Sequence, residues 1–311
     1  MAKKKAYRYV LYLLLEFLRT LVLLFPRRMN YAIGHGLGFS IFWVLGKERA
    51  KSIKHLQMAF PEKTERQCRQ IAQRAFINLA KTSMDLLYFP KLTRARMEQL
   101  VRHDGTDKLD RALARGQGVL ALTGHLGNWE LLASYFRFLG YPGSLLGRRI
   151  YYEKFNEVLV KLRSSGLVTT IYRDESPRKV LAALKANHVI GISADQDIDS
   201  LEGIFVPFFG KPAWTPTGPA KLAHASGAAI VPAFMIHEGD QYHLYLEDAI
   251  VPDPNMSKEE AVQKMTEAWS QVVEKYVRRF PDQWVWMHNR WKTAPQAERT
   301  QTISPLERVA S

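Results

Sequence analysis

The chain has 311 residues, of which 47% are hydrophobic and 24% charged, and this balance excludes a disordered segment or a fibrous repeat. Lys and Arg outnumber Asp and Glu by 44 to 30, so the net charge of +14 predicts an anionic partner such as nucleic acid, a phospholipid surface, or an acidic protein or substrate. The single cysteine, Cys68, excludes an internal disulfide framework and a cysteine-based zinc cluster, and it favours a fold on the reducing side of a membrane.

Residues 1–46 are predicted to form an N-terminal membrane anchor. After a basic start, residues 10–25 are apolar except for Glu16 and Arg19. As a helix this run would be ~24 Å long, shorter than the ~30 Å hydrocarbon core of a bilayer. A second uncharged stretch, residues 31–45, follows a basic turn, and basic residues on both sides of the first run favour both ends remaining cytoplasmic. We therefore expect a membrane helix held as a monotopic or hairpin anchor, not a cleaved signal, because no small-residue cleavage site follows.

The rest of the chain is predicted to be one catalytic domain, residues 47–293, followed by a mobile polar tail, residues 294–311. Residues 47–102 show the apolar spacing of helices. Further on, short apolar strands alternate with helices: residues 119–123 precede a loop and a helix, and the same order leads to a strand at residues 188–194. This alternation predicts an α/β fold with a mostly parallel central sheet and helices on both faces.

His125 and Glu130 form an H-x4-E pair directly after the first of these buried strands. Ligands of α/β proteins bind at the carboxyl ends of the strands, and Asn128 is placed to cap the helix that follows. A carboxylate in this position can accept a hydrogen bond from one ring nitrogen and leave the other as a general base near neutral pH. The alternative is a surface histidine beside an acidic residue that favours the helix N-terminus.

Asp195 and Asp197 end the later strand, which places them on the same sheet edge as the histidine loop. A D-x-D triplet is also typical of a divalent metal held for a nucleotide sugar, so a metal-dependent glycosyltransferase using Asp195 and Asp197 is the alternative class. Arg148, Arg149 and Arg163 lie between the two loops in sequence and are candidates for contacts with a phosphate or a thioester oxygen.

Two aromatic stretches leave alternatives open. Residues 205–211 form an apolar loop that suits either an acyl groove or a plug of the core. Residues 283–292 mix three tryptophans with basic residues, which suits a membrane interface, a nucleic-acid stacking surface or simple packing.

Four motifs, in order, resemble the late acyltransferases of bacterial lipid A biosynthesis, the lauroyl/myristoyl acyltransferase family. They are Gly124-His125-Leu126-Gly127-Asn128-Trp129-Glu130, Asp195-Gln196-Asp197, Phe205-Val206-Pro207-Phe208-Phe209-Gly210 and Trp286-Met287-His288-Asn289-Arg290-Trp291. The resemblance covers residues 47–292 and implies a glycerolipid-acyltransferase-like fold.

The resemblance also implies roles for individual residues. The H-x4-E pair of the family is catalytic, which maps to His125 and Glu130. An arginine about thirty residues later and the first aspartate of the triplet are also important in the family, and they map to Arg163 and Asp195. Arg149 is a further candidate for substrate binding, because the segment around Arg163 is divergent.

The implied reaction moves a fatty acyl group from a thioester, on acyl carrier protein or coenzyme A, to a hydroxyl of a lipid A precursor. His125 is then the general base and Glu130 fixes its ring. Mycobacterial phosphatidylinositol mannoside acyltransferases look similar, so another anionic glycolipid such as phosphatidylinositol mannoside is the alternative acceptor. No metal or other cofactor and no nucleic acid is expected, and the implied location is the cytoplasmic face of the bacterial inner membrane.

Overall fold

The computed structural model describes residues 2–175 and 177–295, so the predicted mobile tail lies outside the described residues from 296 onward. The strands are β1 (Val101–His103), β2 (Val119–Thr123), β3 (Gly143–Gly147), β4 (Thr169–Tyr172), β5 (Val189–Ser193), β6 (Gly203–Phe208), β7 (Lys211–Pro216), β8 (Ala229–Glu238) and β9 (Gln241–Leu246). The helices are α1 (Ala2–Leu24), α2 (Arg27–Val44), α3 (Gly46–Ala59), α4 (Glu65–Tyr88), α5 (Arg94–Leu100), α6 (Asp107–Leu113), α7 (Trp129–Phe138), α8 (Glu153–Ser165), α9 (Pro177–Lys185), α10 (Gly218–Ser226) and α11 (Lys258–Arg279).

A seven-stranded sheet in the order β1-β9-β8-β2-β5-β3-β4 forms the centre of the molecule. β2 pairs in parallel with both β5 and β8, and β3 pairs in parallel with β5 and β4. β8 and β9 form an antiparallel hairpin whose turn contains Gly239, at φ +64°. The predicted α/β fold with a mostly parallel sheet is confirmed.

The sheet is covered by helices on both faces, because alternate residues of a strand point to opposite sides. In β2, Leu120 and Leu122 pack into one apolar cluster, with side chains of α3, α9, α10 and α11. Val119 and Ala121 pack into the other cluster, with side chains of α5, α6, α7 and α8. β2 is therefore buried on both faces, and the loop at its carboxyl end leaves the sheet at its centre.

The two N-terminal helices, α1 and α2, overturn one prediction. Among the described residues no helix is both long and apolar enough to cross a membrane, so the predicted N-terminal membrane helix is wrong. In α1, Glu16 and Arg19 interrupt the apolar run and bind each other, with Arg19 Nε 3.0 Å from the carboxylate. In α2 the apolar residues are interspersed with polar ones such as Asn30, which is buried and donates to the carbonyl of Val22 at 2.8 Å.

α2 is docked directly on α4 of the catalytic part. Two glycines, Gly34 and Gly38, face α4, and a Cβ on Gly38 would lie 2.5 Å from Cα of Ile77. Phe42 is fully buried at the same contact, edge-on to Phe76 at 5.4 Å between ring centroids. The second apolar stretch of the sequence thus uses one face to pack against protein.

Both aromatic stretches of the sequence contribute buried side chains to the core. Residues 205–211 form the end of β6, the turn and the first residue of β7, and Phe208 and Phe209 are buried in the core, as in the core-plug alternative. Trp284 and Trp286 follow α11 and are each 1% exposed, with their rings 4.6 Å apart. They do not form an exposed interface.

Candidate active site

The loop after β2 carries His125 and is held in place by β8 and by the segment after α11. Gly127, at φ +62°, donates its N–H to the carbonyl of Gln283, and a Cβ at this position would lie 2.1 Å from the carbonyl oxygen of Met235 in β8. The carbonyl of His125 accepts from the N–H of Val285 at 3.1 Å. The C-terminal segment after α11 therefore runs beside the histidine loop and fixes its backbone.

His125 is bound by Asp195, which follows β5, the neighbour of β2. Its Nδ1 lies 2.7 Å from Oδ1 of Asp195, and its backbone N–H donates to Oδ2 at 2.7 Å. The same Oδ2 accepts from Nε1 of Trp284 at 2.7 Å. Gly124 makes room for this carboxylate, because a Cβ there would lie 2.9 Å from Oδ2. An ionised carboxylate can only accept, so the neutral ring carries its proton on Nδ1 and leaves the Nε2 lone pair for a substrate.

Charge and burial oppose each other in this pair. Burial by itself lowers the pKa of His125, but the charge and hydrogen bond of Asp195, together with the charge of Glu130, raise it above the usual 6.5. Burial likewise raises the pKa of Asp195, but the imidazolium charge and the hydrogen bonds from His125 and Trp284 hold it far below its usual value. Asp195 is thus a stable anion that favours the protonated form of His125.

Glu130 lies where expected but binds a different partner. It lies in the first turn of α7 and is bound by both sides of the Arg163 guanidinium, with Nε at 2.9 Å and Nη2 at 2.7 Å from the carboxylate oxygens. Both side chains are nearly buried, 8% and 11% exposed for Glu130 and Arg163. The hydrogen bond that orients the ring of His125 therefore comes from Asp195, not from Glu130 as expected. The negative charge of Glu130 still helps to raise the pKa of His125. Arg163 joins the site through Glu130.

Arg149 is placed elsewhere on the same sheet edge. Its guanidinium lies 4.0 Å from the ring centroid of Tyr172 and its Nε 3.8 Å from Asp174, both at or after the end of the edge strand β4. Arg148 beside it is exposed. These contacts leave Arg148 and Arg149 on the outer part of the edge rather than beside His125.

Asp197 binds Thr293 and not His125. Its carboxylate accepts from the backbone N–H of Thr293 at 2.7 Å and from the hydroxyl of Thr293 at 2.8 Å. Both carboxylates of the triplet are thus bound by donors of the chain itself. Across residues 2–175 and 177–295 there is also no group of three or more His, Cys, Asp and Glu side chains arranged as metal ligands.

Two residues of the site were missed as candidates, although both stand in the quoted motifs. The side-chain amide nitrogen of Gln196 lies 3.2 Å from each ring nitrogen of His125 and 2.8 Å from Nε2 of His288. The two imidazole rings are 5.2 Å apart, and the ring of Trp129 stands 5.0 Å from His125 on another side. The sequence signal for Gln196 was its place between the two aspartates. Nothing in the sequence indicated that residue 288 returns to residue 125.

The comparison with known proteins now identifies the chain. The model of the family described as bacterial lipid A biosynthesis acyltransferase matches residues 1–293. The chain belongs to this family. The predicted resemblance is confirmed, and the protein is an acyltransferase; the metal-dependent glycosyltransferase alternative is set aside.

Two lipid A acyltransferases are similar to the chain over most of their length, and a third relative over less than half. The chain is 28% identical over 288 residues to the lipid A biosynthesis lauroyltransferase of Escherichia coli (strain K12), covering 89% of each chain. It is 24% identical to the lipid A biosynthesis palmitoleoyltransferase of the same organism, covering 81% of each. A phosphatidylinositol mannoside acyltransferase of Mycobacterium tuberculosis (strain ATCC 25618 / H37Rv) is 32% identical over 139 residues, which are 43% of this chain and 44% of that one.

Among solved structures, the 1-acyl-sn-glycerophosphate acyltransferase PlsC from Thermotoga maritima has a TM-score of 0.38 and 13% identity to this chain. The match covers 83% of this chain and 99% of that chain. A glycerolipid-acyltransferase-like fold stays a prediction for this acyltransferase.

Proposed function

We propose that the protein transfers a fatty acyl group from an acyl thioester to a hydroxyl of a lipid A precursor, with His125 as the general base. The observation that carries this proposal is the hydrogen bond between His125 Nδ1 and Asp195, because it leaves Nε2 unprotonated at the carboxyl end of the central strand. The lipid acceptor is inferred from the family and from the lipid A acyltransferases to which the chain is similar over 81–89% of its length.

The proposed step starts with the acceptor hydroxyl donating to Nε2 of His125. The proton passes to Nε2 as the hydroxyl oxygen bonds to the thioester carbon, and Asp195 stabilises the imidazolium that forms. The tetrahedral intermediate then expels the thiolate, which takes the proton from His125. A new ester bond forms, the carbon–sulfur bond breaks, and His125 returns to its starting state.

Glu130 and Arg163 have a supporting role in this proposal. Because two nitrogens of the Arg163 guanidinium are bound by Glu130, Arg163 ties α8 to the first turn of α7, the helix that follows the histidine loop. Arg148 and Arg149 remain the candidates for binding phosphate groups of the acceptor, because their side chains lie on the open part of the sheet edge.

We place the enzyme on the cytoplasmic face of the bacterial inner membrane, lying on the bilayer without crossing it. The outward faces of α1 and α2 carry several large apolar side chains that are at least half exposed: Leu14, Phe17, Leu24, Trp43 and Val44. Helices with an exposed apolar face bind at the interface between head groups and acyl chains. The net charge of +14 suits an anionic membrane, a phosphorylated glycolipid and an acidic acyl carrier protein alike.

A reconstituted assay tests the proposed function. Purified wild type, His125→Ala and His224→Ala, a control at a partly exposed histidine of α10, are given acyl carrier protein or coenzyme A thioesters and a lipid A precursor. We expect His125→Ala to lose roughly 10² to 10⁴ in rate and His224→Ala to retain wild-type activity. A His125→Ala enzyme that keeps more than about a tenth of the wild-type kcat would overturn the mechanism. If the enzyme acylates phosphatidylinositol mannoside but no lipid A precursor, the proposed acceptor is wrong and phosphatidylinositol mannoside takes its place.

A further inference from the structure

The side-chain amide of Gln196 lies between two imidazole rings at the proposed catalytic centre. Its nitrogen is 2.8 Å from Nε2 of His288 and 3.2 Å from Nε2 of His125. Gln196 follows Asp195 directly, so the residue that orients His125 also places this amide.

His288 is suited to hold the amide in one orientation. Burial, and then the charge of His125, lower the pKa of His288 below 6.5, which keeps its ring neutral and able to accept a hydrogen bond. The backbone N–H of His288 donates to the carbonyl of Val285 at 3.2 Å, within the segment that also binds the carbonyl of His125. Because an amide NH₂ can only donate, Nε2 of His288 accepts the hydrogen bond from Gln196 Nε2.

The segment that carries His288 is itself anchored. Arg290 is buried and donates to the carbonyl of Trp214 and to the hydroxyl of Thr215, each at 2.6 Å. His55 of α3 binds the carbonyl of Trp286 at 2.9 Å. His288 is therefore held by the body of the protein, and the amide that it binds is held with it.

An amide nitrogen has two hydrogens, and His288 occupies one of them. The second lies on the side of His125, whose Nε2 is 3.2 Å from the amide nitrogen, and it becomes available when the acceptor hydroxyl takes its place at Nε2. During attack, the thioester carbonyl oxygen lies next to that hydroxyl and gains negative charge. Donors preorganised at roughly 2.7–3.1 Å from such an oxygen contribute a large part of the rate of acyl transfer.

Two other donors near the site, Arg163 and Trp284, already have partners. Arg163 uses Nε and Nη2 for Glu130, and its Nη1 lies 3.5 Å from the hydroxyl of Thr170. The indole N–H of Trp284 is bound to Asp195. The amide of Gln196 is a donor that lies within 3.2 Å of the catalytic nitrogen itself.

We propose that Gln196 is a catalytic residue that donates a hydrogen bond from Nε2 to the thioester oxygen as it becomes an oxyanion, and that His288 positions the amide. The proposal rests on His125 acting as the general base. As the hydroxyl oxygen bonds to the thioester carbon, the carbonyl electron pair moves to the oxygen that Gln196 binds. The pair returns when the carbon–sulfur bond breaks, and the proton moves from the hydroxyl to His125 and then to the thiolate.

The test compares Gln196→Ala, Gln196→Glu and His288→Phe in the reconstituted acyltransferase assay. We expect Gln196→Ala to lower kcat about 10²- to 10³-fold, the size of effect seen when one oxyanion donor is removed, with KM changed little. Gln196→Glu keeps the length of the side chain but offers acceptors in place of donors, so it should be no more active than Gln196→Ala. His288→Phe keeps a ring without an acceptor and should lose less.

Two further readouts separate catalysis from structure. The double variant of Gln196→Ala and His288→Phe should be about as slow as Gln196→Ala alone, because His288 acts through the amide. The acid limb of the pH profile of Gln196→Ala should stay at the wild-type position, whereas a residue that only tunes His125 would shift it. Additive losses, or a shifted acid limb, would overturn the proposal.

Failure of this proposal is distinguishable from failure of the proposed function. If Gln196→Ala keeps the wild-type kcat while His125→Ala is inactive, the general base stands and the oxyanion donor is another group. If His125→Ala is active, the base assignment itself is wrong. Thermal unfolding of each variant shows whether a loss of activity comes from a loss of folded protein.

Discussion

Asp195 contacts His125 twice, once at ring nitrogen Nδ1 and once at the backbone N–H, each at 2.7 Å. We expect Asp195→Asn to lower kcat by roughly 10² or more, because an amide that presents its NH₂ to Nδ1 stabilises the wrong ring tautomer and supplies no negative charge to the imidazolium. Asp197→Asn makes the same chemical change at the residue that binds Thr293 and should stay close to wild type. Steady-state kinetics of the two variants gives the two kcat values. An equal decrease in kcat would contradict a catalytic role of Asp195 that Asp197 does not share.

The pH dependence of activity should follow His125. Its pKa lies above 6.5 in the folded protein, and only the neutral ring can act as a base, so kcat/KM should fall as pH decreases through that raised pKa. In Asp195→Asn the carboxylate charge is gone while burial remains, so the acid limb of the residual activity should move to lower pH. Rate measurements from pH 5 to 9 test both statements, and an acid limb below 6.5 in the wild type would contradict them.

The pair of Glu130 and Arg163 should be required for stability. Replacing Arg163 by Met leaves the carboxylate of Glu130 nearly buried without its partner, which we expect to lower the free energy of unfolding by about 3–5 kcal/mol. The double variant Arg163→Met with Glu130→Leu removes both charges and should recover most of this loss. Arg94→Ala, in an exposed pair with Glu98, is the control and should cause no measurable change. Urea unfolding measures all three, and an equally unstable double variant would show that packing, not the unpaired charge, causes the loss.

A second buried cluster reaches the catalytic loop through Asn128. The hydroxyl of Tyr242 lies 2.7 Å from Asp85 and accepts from Asn128 Nδ2 at 3.1 Å, while the Oδ1 of Asn128 caps α7 at the N–H of Leu131. Tyr31 of α2 binds the same carboxylate oxygen at 2.5 Å.

Two matched variants test this connection. Tyr242→Phe and Tyr31→Phe should each lower the free energy of unfolding by about 1–3 kcal/mol, because each leaves Asp85 with one donor fewer. Only Tyr242→Phe should also lower kcat, by up to ~10²-fold, since only this change reaches the residue between His125 and Glu130. Equal kcat values for the two variants, measured well below their unfolding temperatures, would contradict the connection.

Membrane binding should depend on the exposed faces of α1 and α2. We expect Phe17→Asp combined with Val44→Asp to reduce binding to vesicles that contain anionic lipid, because both side chains are well exposed, at 63% and 79%. Leu167→Asp changes an exposed apolar residue in the turn after α8 and is the control. Vesicle flotation gives the readout. Unchanged binding of the double variant would place the contact with lipid elsewhere.

Local patterns were sufficient for the order of elements and for part of the site. The buried strand, the glycines around His125 and the capping side chain of Asn128 lie within ten residues of one another, and all have the predicted local structure. A reader of the sequence could therefore place His125 at the carboxyl end of a central strand. The four motifs in order were also enough to indicate the family that the comparison then showed.

The partners of the site residues required the tertiary structure, because they are far apart in the chain. Asp195 is 70 residues from His125, and it reaches the ring because β5 pairs with β2 in parallel, which brings the ends of the two strands together. Glu130 is only five residues from His125, but Arg163, 33 residues further on, binds its carboxylate in the folded protein. Nearness in sequence suggested the wrong partner for the histidine ring.

The same reason explains the N-terminal helices. Composition determined that residues 10–25 are mostly apolar and that residues 31–45 are uncharged, but such a run can face lipid or protein, and composition does not distinguish the two. The close approach of Gly38 to Ile77 and the burial of Phe42 show that one face of α2 packs on α4. Length, charge and periodicity are local properties of a sequence, whereas the surface that a helix covers depends on where the rest of the chain folds.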